Sequence, residues 1–260
     1  MPELPDLEVY KENILKRLSS RQLLGLKVFS RKITMPESIL KDELIGRDLQ
    51  GLSRYGKELR FDFSDGRIIS AHLMLNGKMS IVKEAADKIK SKVFTFDFEN
   101  ESLIFHDTGN IGTVIRYKPA PDSVPDALGA DFTLERFLKT ARAKPAGNIK
   151  AFLIDQKVVK GIGNAYADEI LWHARVSPKS IRGKIPEEVM AGLYEAIGKV
   201  LRNGIASIKE ISPDIISGEE RSFFAVHSKL KKETETGFPI MSERIETKIT
   251  YFTEEQIIYI

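Results

Sequence analysis

The hydrophobic pattern of this 260-residue chain changes along its length, and the changes limit what it can fold into. From Gln22 to about Tyr117, apolar and polar residues alternate, as in Phe94-Thr95-Phe96-Asp97-Phe98, and this period of two predicts strands. Turn residues such as Ser64-Asp65-Gly66 separate the stretches, which favours antiparallel pairing. A helix over about Pro5–Ser20 precedes them. The first part therefore predicts an antiparallel β-sandwich or barrel with an N-terminal helix.

Beyond a proline-containing stretch, the pattern becomes helical. Four helices are predicted, over Thr133–Ala143, Asn148–Gln156, Asn164–Arg175 and Pro186–Ile208. Alternation returns from Arg221 to Ile260 and predicts a terminal β-hairpin. The fold class is therefore α+β. We predict a β-sandwich domain over 1–118, a linker over 119–130, a helical domain over 131–220 and a hairpin over 221–260.

Composition excludes several classes of site and location. The net charge of +3 is compatible with a nucleic-acid partner but does not require one. The absence of cysteine rules out disulfides and thiolate zinc sites, and we expect no cofactor and no metal. No apolar run is long enough to span a membrane and no leader is visible, so we expect a cytoplasmic protein without a membrane partner.

The N-terminal sequence Met1-Pro2-Glu3-Leu4-Pro5-Asp6 suggests chemistry. Removal of Met1 leaves Pro2 with a secondary amine, which can attack an aldehyde-like carbon and form an iminium. An N-terminal amine has a pKa of roughly 7.7–8.0, so part of it is neutral near pH 7. Glu3 and Asp6 are close enough in sequence to move protons around it. On spacing alone, the alternative that the prolines lead into a helix is favoured.

Two further motifs indicate phosphate contacts. Arg54-Tyr55-Gly56-Lys57 lies between strand-like stretches, and a lysine at a hairpin tip can reach a phosphate, although an ordinary surface lysine is the simpler interpretation. In the string from Lys160 to Ile170, two glycines open a helix whose predicted N-cap is Asn164. Backbone N–H groups and the helix dipole at such a junction favour an anion.

Together these segments resemble the formamidopyrimidine-DNA glycosylase/endonuclease VIII family of bifunctional base-excision repair enzymes. The resemblance extends over nearly the whole chain, and the residues that carry it stand in the family's order: the Pro-Glu-Leu-Pro start, Gly56-Lys57, His72-Leu73 with Gly77, Lys150-x-x-Leu153-x-Asp155 and Gly161–Leu171. It implies that the helical part contains a helix–two-turns–helix motif. It also implies double-stranded DNA with damaged bases or abasic sites as the partner, a monomer, and a place with the bacterial nucleoid.

The resemblance also implies individual roles. Pro2 would attack C1′ of the damaged nucleotide and Glu3 would assist opening of the sugar, with Asp6 standing where the family usually has Glu. Phosphate or base contacts would come from the following residues: Lys57, His72, Lys150, Gly163, Asn164, Tyr166 and Lys248. Leu75 aligns with a methionine that fills the space left by the extruded nucleotide. Such extrusion is required because C1′ is hidden in a duplex.

The chain departs from the family at the residues that read the opposite base. Asp107-Thr108-Gly109-Asn110-Ile111-Gly112 stands where Asp-Pro-Arg-Arg-Phe-Gly is typical. Asn110 and Ile111 would still contact DNA, with Ile111 in place of the aromatic wedge. An arginine fork discriminates a base by about 1–3 kcal/mol. Because Gly109 lacks it, we predict no strong selection for the opposite base.

The C-terminal hairpin departs as well. The four family cysteines are replaced by Glu233, Thr236, Thr253 and Gln256, which predicts a zincless finger. Cross-strand packing of Phe238, Ile240, Tyr251 and Phe252 is expected to hold it. Lys248 replaces the family's phosphate-binding arginine and keeps its charge without its fork.

Two other functions compete with the repair enzyme. A DNA-binding protein that has lost catalysis would explain the missing arginine, but it has no need of an N-terminal proline. An RNA-binding helix–two-turns–helix protein would explain only the string around Asn164. The segment Ser212–Arg221 is short for a loop that closes over 8-oxoguanine, so the sequence assigns no lesion.

Overall fold

The computed structural model describes residues 1–30, 33, 35–83, 89–108, 113–117 and 123–260. The chain forms two compact units. The first comprises Met1–Asp122 with Ile208–Glu219, and the second comprises Ser123–Ser207 with Glu220–Ile260. Within the described part of the chain, no helix is both long and apolar enough to cross a membrane.

The first unit is a β-sandwich with helices, as predicted. Its elements are α1 (Leu4–Leu18), β1 (Gly25–Val28), α2 (Glu37–Leu44), β2 (Leu49–Tyr55), β3 (Glu58–Phe63), β4 (Arg67–His72), β5 (Gly77–Val82), β6 (Lys92–Phe98), β7 (Glu101–Asp107) and β8 (Val114–Tyr117). One antiparallel sheet has the order β1-β6-β7-β5 and the other the order β2-β3-β4-β8.

Phenylalanines from the two sheets meet in the core. Phe61 of β3 lies 5.4 Å from Phe96 of β6 and 5.8 Å from Phe105 of β7, measured between ring centroids. Such tilted and edge-to-face rings add stabilisation to the apolar area that they bury. Helix α1 covers this core with Tyr10 and Ile14, which are fully buried. The start of α1 is thereby fixed on a rigid layer.

The second unit contains four helices and a hairpin. They are α3 (Leu134–Ala143), α4 (Ile149–Ile154), α5 (Asn164–His173), α6 (Glu187–Ile211), β9 (Met241–Ile245) and β10 (Lys248–Phe252), with β9 and β10 antiparallel. Asn164 is the first residue of α5, and the N-cap is Gly163, so the predicted cap was wrong by one position. The backbone is still extended at Gly163 and is helical from Asn164 on, and the Asn164 side chain donates through Nδ2 to the Ile249 carbonyl at 2.9 Å.

The segment Ile208–Glu219 packs with the first unit, although the sequence pattern placed it with the helical domain. Two hydrogen bonds to α1 explain the difference. The Tyr10 hydroxyl donates to the Gly218 carbonyl, and the Asn13 amide donates to the Ile215 carbonyl at 2.9 Å. Contacts between residues some 200 positions apart leave no local pattern in a sequence.

Candidate functional site

Pro2 and Glu3 lie at the buried start of α1. Pro2 is buried and precedes the helix, whereas Pro5 lies in its first turn, so helix initiation accounts for Pro5 but not for Pro2. Glu3 is the N-cap residue and is 4% exposed. A carboxylate at this position also lies at the positive end of the helix dipole. The fold therefore holds an acid directly beside the residue that would react.

Asp6 fixes the position of Glu3. Its carboxylate accepts a hydrogen bond from the Glu3 backbone N–H at 2.8 Å, and the two residues form a reciprocal capping box. Asp6 is fully buried. This contact holds the backbone of Glu3 in position, and the predicted part of Asp6 in proton transfer stays a prediction. An aspartate side chain is long enough for this contact, because the N–H group that it accepts from lies only three residues earlier in the chain.

A third carboxylate, besides those of Glu3 and Asp6, lies at the N-terminus, and no sequence pattern indicated it. Glu219 forms an ion pair with the Met1 amine. Its segment is held in place because Ser217 accepts a hydrogen bond from the Met79 backbone N–H at 3.1 Å, in addition to the contact of Tyr10 with Gly218. Since Glu219 is 218 positions from Met1, no spacing could have shown the pairing.

Lys57 lies in the turn between β2 and β3, as predicted, but it is only 8% exposed. Gly56 has a φ of +57°, a conformation that favours glycine and gives the tight turn. Arg54 ties this turn to α1, since it donates to the Gly56 carbonyl at 3.0 Å and pairs with Glu8 at 2.8 Å. The ordinary interpretation of Lys57 as a freely exposed lysine is therefore wrong.

The pKa of Glu8 reflects that clamp. Burial raises it, but the hydrogen bonds from Lys11 and Arg54 and their charges outweigh burial, so the pKa of Glu8 is lowered. Glu8 thus stays ionised near neutral pH and keeps Arg54 in place. The turn that carries Lys57 is held against α1 by a charged contact that does not depend on DNA.

The residues His72 to Gly77 form a closed turn with an apolar tip. The Gly77 N–H donates to the Leu73 carbonyl at 2.8 Å, and the Nδ1 atom of His72 accepts from the Met74 N–H at 3.0 Å. A Cβ at Gly77 would lie 2.3 Å from the Leu73 oxygen, so the turn requires glycine. Leu75 is 74% exposed at the tip. This is the geometry that a space-filling wedge needs.

Asn110 and Ile111 lie outside the described residues. The described residues on either side of them are joined, since the Thr113 N–H donates to the buried Asp107 carboxylate at 3.1 Å. The predicted roles of Asn110 and Ile111 in contacting DNA stay predictions.

Lys150 lies in the interior of the second unit, where its ammonium contacts other residues of the protein. Lys150 is 1% exposed, and its ammonium pairs with Asp168 at 2.7 Å and donates to the Thr250 hydroxyl at 2.6 Å. Asp168 also accepts from the Tyr251 N–H at 3.0 Å and contacts His227 at 2.7 Å. Lys150, which was predicted to contact the DNA backbone, is therefore enclosed in this structure and connects α4, α5 and β10.

Near this network, Asn164 is partly exposed and Lys248 is exposed to solvent. The Asn164 amide contacts the carbonyl of Ile249, the residue next to Lys248, and Lys248 is exposed at the first position of β10. Gly163 caps α5, whose N-terminal end carries partial positive charge. These three predicted residues are therefore brought together in the same unit.

Tyr166, which was predicted to contact DNA, has its side chain in the interior of the second unit. It is fully buried, and its ring packs edge-on against Phe224 with centroids 4.9 Å apart. A Cβ at Gly204 would lie 2.5 Å from the Tyr166 hydroxyl oxygen, so α6 approaches the ring closely. Tyr166 supports the packing of α5.

A carboxylate joins residues around the end of the hairpin. Glu255 accepts hydrogen bonds from Thr236 at 2.9 Å, Thr253 at 3.1 Å and Trp172 at 3.1 Å, and Arg175 pairs with it at 2.5 Å. Burial raises the pKa of Glu255, but these donors outweigh it and the pKa is lowered. Among the described residues there is no cluster of His, Asp or Glu that could hold a metal.

Packing supplies part of the hairpin's support, as predicted. Tyr251 and Phe252 are buried, whereas Phe238 is 41% exposed and contributes less than expected. Gln256 donates to the Val176 carbonyl at 2.9 Å and accepts from the Thr253 N–H at 2.9 Å. Thus three of the four residues at the former cysteine positions make polar contacts around the end of the hairpin: Thr236, Thr253 and Gln256.

Asp168, Glu169 and Glu255 are the residues of the second unit that sequence reasoning missed. Glu169 accepts from three consecutive backbone N–H groups, of Ala225, Val226 and His227, at 2.7–2.9 Å, while burial dominates and raises its pKa. For Asp168 and Glu169, the signal available in the sequence was that two adjacent acids stand among the apolar residues of α5. Acids in such surroundings are rarely buried without partners.

Comparison with known proteins follows these observations. Residues 1–114 match the family model for the formamidopyrimidine-DNA glycosylase N-terminal domain, and residues 124–214 match that for the formamidopyrimidine-DNA glycosylase H2TH domain. The chain belongs to the formamidopyrimidine-DNA glycosylase family. The family resemblance and the helix–two-turns–helix motif predicted from sequence are thereby confirmed.

Similar proteins include formamidopyrimidine-DNA glycosylases of two bacteria. That of Carboxydothermus hydrogenoformans is 34% identical over 207 residues, covering 79% of this chain and 78% of that protein. That of Lactococcus lactis subsp. cremoris is 29% identical over 275 residues, covering 97% of each.

Solved structures of the Lactococcus lactis Fpg protein share the fold. Its complex with DNA containing an abasic site has a TM-score of 0.86 at 25% identity and covers 96% of this chain and 97% of that one. Its complex with DNA containing an oxidised pyrimidine has a TM-score of 0.86 at 26% identity and covers 97% of this chain and 98% of that one.

Proposed function

We propose that this protein is a base-excision repair enzyme that removes oxidised bases from DNA and then cleaves the abasic site. The observation that carries the proposal is the buried start of α1, where Pro2 precedes the helix and Glu3 caps it under the control of Asp6. Relatives named as glycosylases, and a fold shared with proteins solved on damaged DNA, support the same conclusion.

The reaction begins once Pro2 carries a free secondary amine. The nitrogen lone pair forms a bond to C1′ and the glycosidic bond breaks, so the base leaves with its bonding electrons and takes up a proton. Glu3 donates a proton to the sugar ring oxygen, the ring opens, and an iminium forms between Pro2 and C1′. Loss of a C2′ proton then expels the 3′ phosphate by β-elimination, and loss of a C4′ proton expels the 5′ phosphate by δ-elimination. Water finally hydrolyses the iminium, so the C1′–N bond breaks and the Pro2 amine is restored.

DNA contacts are proposed for both units. In the first, Lys57 neutralises a phosphate beside the lesion, His72 contacts the backbone, and Leu75 fills the space of the extruded nucleotide. In the second, Gly163, Asn164 and Lys248 hold the backbone, with Lys150 positioning β10 from within. Asn110 and Ile111 are proposed to contact the opposite strand.

The remaining assignments complete the proposal. The protein acts as a monomer on damaged duplex DNA, in the bacterial cytoplasm with the nucleoid. The boundaries at 118 and 130 are proposed as functional divisions between the sandwich, the linker and the helical domain, with Ile208–Glu219 acting together with the sandwich and the zincless finger beginning at 221. A DNA-binding protein without catalysis is not favoured, because the relatives are named as enzymes.

Strand cleavage on a panel of duplexes tests the proposal. The panel carries oxidised purines, oxidised pyrimidines, plain abasic sites or no lesion. We expect wild-type protein to cleave at one or more of the lesions and Pro2→Gly to lose base excision while retaining DNA affinity, because affinity is spread over many phosphates. Absence of cleavage at every lesion by protein that still binds the duplexes would contradict the proposal.

A further inference from the structure

Arg182 is a buried cation that forms no ion pair with a described carboxylate. It lies between α5 and α6 and is 8% exposed. Its Nε atom is fully enclosed without a hydrogen-bond partner among the described residues, and no described carboxylate forms an ion pair with the guanidinium. Buried charges in native proteins are normally paired, so an unpaired one calls for a missing partner.

The surroundings of Arg182 hold the guanidinium in a fixed position. Its Cζ atom lies 4.5 Å from the centroid of the Phe152 ring, a cation–π contact. A Cβ at Gly147 would lie 3.0 Å from Nη2, so the glycine lets the backbone approach the fork closely. Burial lowers the pKa of Arg182.

The guanidinium borders a cavity of about 330 Å³ whose lining is rich in cations. Lys144 and Lys157 line the same cavity, are exposed, and make no ion pair with any described residue. Two acids, Asp155 and Glu246, also line it, so three cations face two carboxylates. One oxygen of Asp155 accepts from the Lys157 backbone N–H at 2.9 Å, and no ion pair joins either acid to Arg182.

We propose that this cavity, hereafter the Arg182 cavity, binds a phosphate-type oxyanion. The planar fork of an arginine matches two oxygens of such a group, and the two lysines add charge from the rim. The chemistry is common to a backbone phosphate of DNA and to a free phosphate or pyrophosphate. The DNA source rests on the proposed function, whereas the free anion does not.

Two titrations distinguish the sources. The first measures heat on adding inorganic phosphate or pyrophosphate to the whole protein, with chloride at equal ionic strength as reference. The second measures affinity for a duplex containing an abasic-site analogue at several salt concentrations. If the anion is free, Arg182→Met weakens phosphate binding about tenfold or more. If it belongs to DNA, the same variant lowers the salt slope by about one.

Controls keep both results interpretable. Lys139→Ala removes an exposed lysine of α3 that does not line the cavity, and it should change neither titration. Should Arg182→Met fail to fold, the double variant Lys144→Ala/Lys157→Ala alters only exposed lysines and should weaken the same titration. Borohydride trapping of wild-type protein and of Lys139→Ala on abasic DNA reads the proposed function separately, and both should give the adduct.

The outcomes then divide clearly. A loss of affinity seen only in the phosphate titration supports a site for a free oxyanion. A lower salt slope seen only in the DNA titration supports a site for a backbone phosphate. Wild-type protein that takes up no phosphate, together with an unchanged salt slope in the Arg182 and double-lysine variants, overturns the proposal and leaves Arg182 as a packing residue on Phe152.

Discussion

Replacement of Lys150 by methionine tests whether this lysine positions β10 or grips DNA. Lys150 and Asp168 are 1% and 0% exposed and 2.7 Å apart, so Lys150→Met leaves a carboxylate buried without its principal counter-ion. Breaking a buried pair by removing one partner costs about 3–5 kcal/mol. Because His227 and the Tyr251 N–H still contact Asp168, we expect the lower end, about 3 kcal/mol, as a loss of unfolding free energy.

Urea denaturation followed by circular dichroism measures that loss, with Lys139→Met as the control for an exposed lysine. The double variant Lys150→Met/Asp168→Leu should recover part of the stability, because it leaves no buried charge. In parallel, DNA affinity is measured over a range of salt. Lys248→Ala should lower the salt slope by about one if it meets a phosphate, whereas Lys150→Met should leave the slope unchanged.

Two results would refute this reasoning. A stability loss below about 1 kcal/mol for Lys150→Met would mean that the pair is not effectively buried. A drop of about one in the salt slope for the same variant would mean that Lys150 leaves Asp168 and contacts a phosphate when DNA binds.

Other predictions follow from the N-terminus, the wedge and the hairpin. Asp6→Asn keeps a capping oxygen and should retain most strand cleavage. Asp6→Ala should lose strand cleavage together with about 0.5–2 kcal/mol of unfolding free energy. Equal losses of cleavage in the two variants would indicate that Asp6 transfers a proton. Leu75→Ala should reduce excision from duplexes about tenfold, and an unchanged rate would exclude a wedge. The lowered pKa of Glu255 means that its contribution to stability is present above its unfolded value near 4.5 and is lost as pH falls through the folded value. Acid titration of Trp172 fluorescence should show this transition, Glu255→Gln should remove it, and EDTA should leave the hairpin unchanged.

Local patterns were sufficient to predict the fold class. The period of two in Phe94–Phe98 and the glycines before α5 marked strands and a helix start that the structure contains. The family resemblance rested on short motifs of this kind. The resemblance did not predict in which direction individual side chains point. Lys150 and Tyr166 stand in matched motifs, but the side chains of both are buried.

Long-range contacts explain the rest. Glu219 reaches the N-terminus from a segment joined to α1 by Tyr10, and Glu255 joins the hairpin to α5 through Trp172. Neither acid has a distinctive neighbour in the sequence. Glu255 also lies outside the four positions that the resemblance matched to the family's cysteines, so no motif indicated its contacts.

Covalent trapping tests the central claim most directly. Protein whose N-terminal residue is shown by intact mass to be Pro2 is incubated with abasic-site DNA and borohydride, and the adduct is mapped by mass spectrometry of its peptides. The account predicts a reduced covalent bond between the Pro2 nitrogen and C1′. Absence of an adduct, or an adduct on a lysine such as Lys57 with Pro2 unmodified, would contradict it.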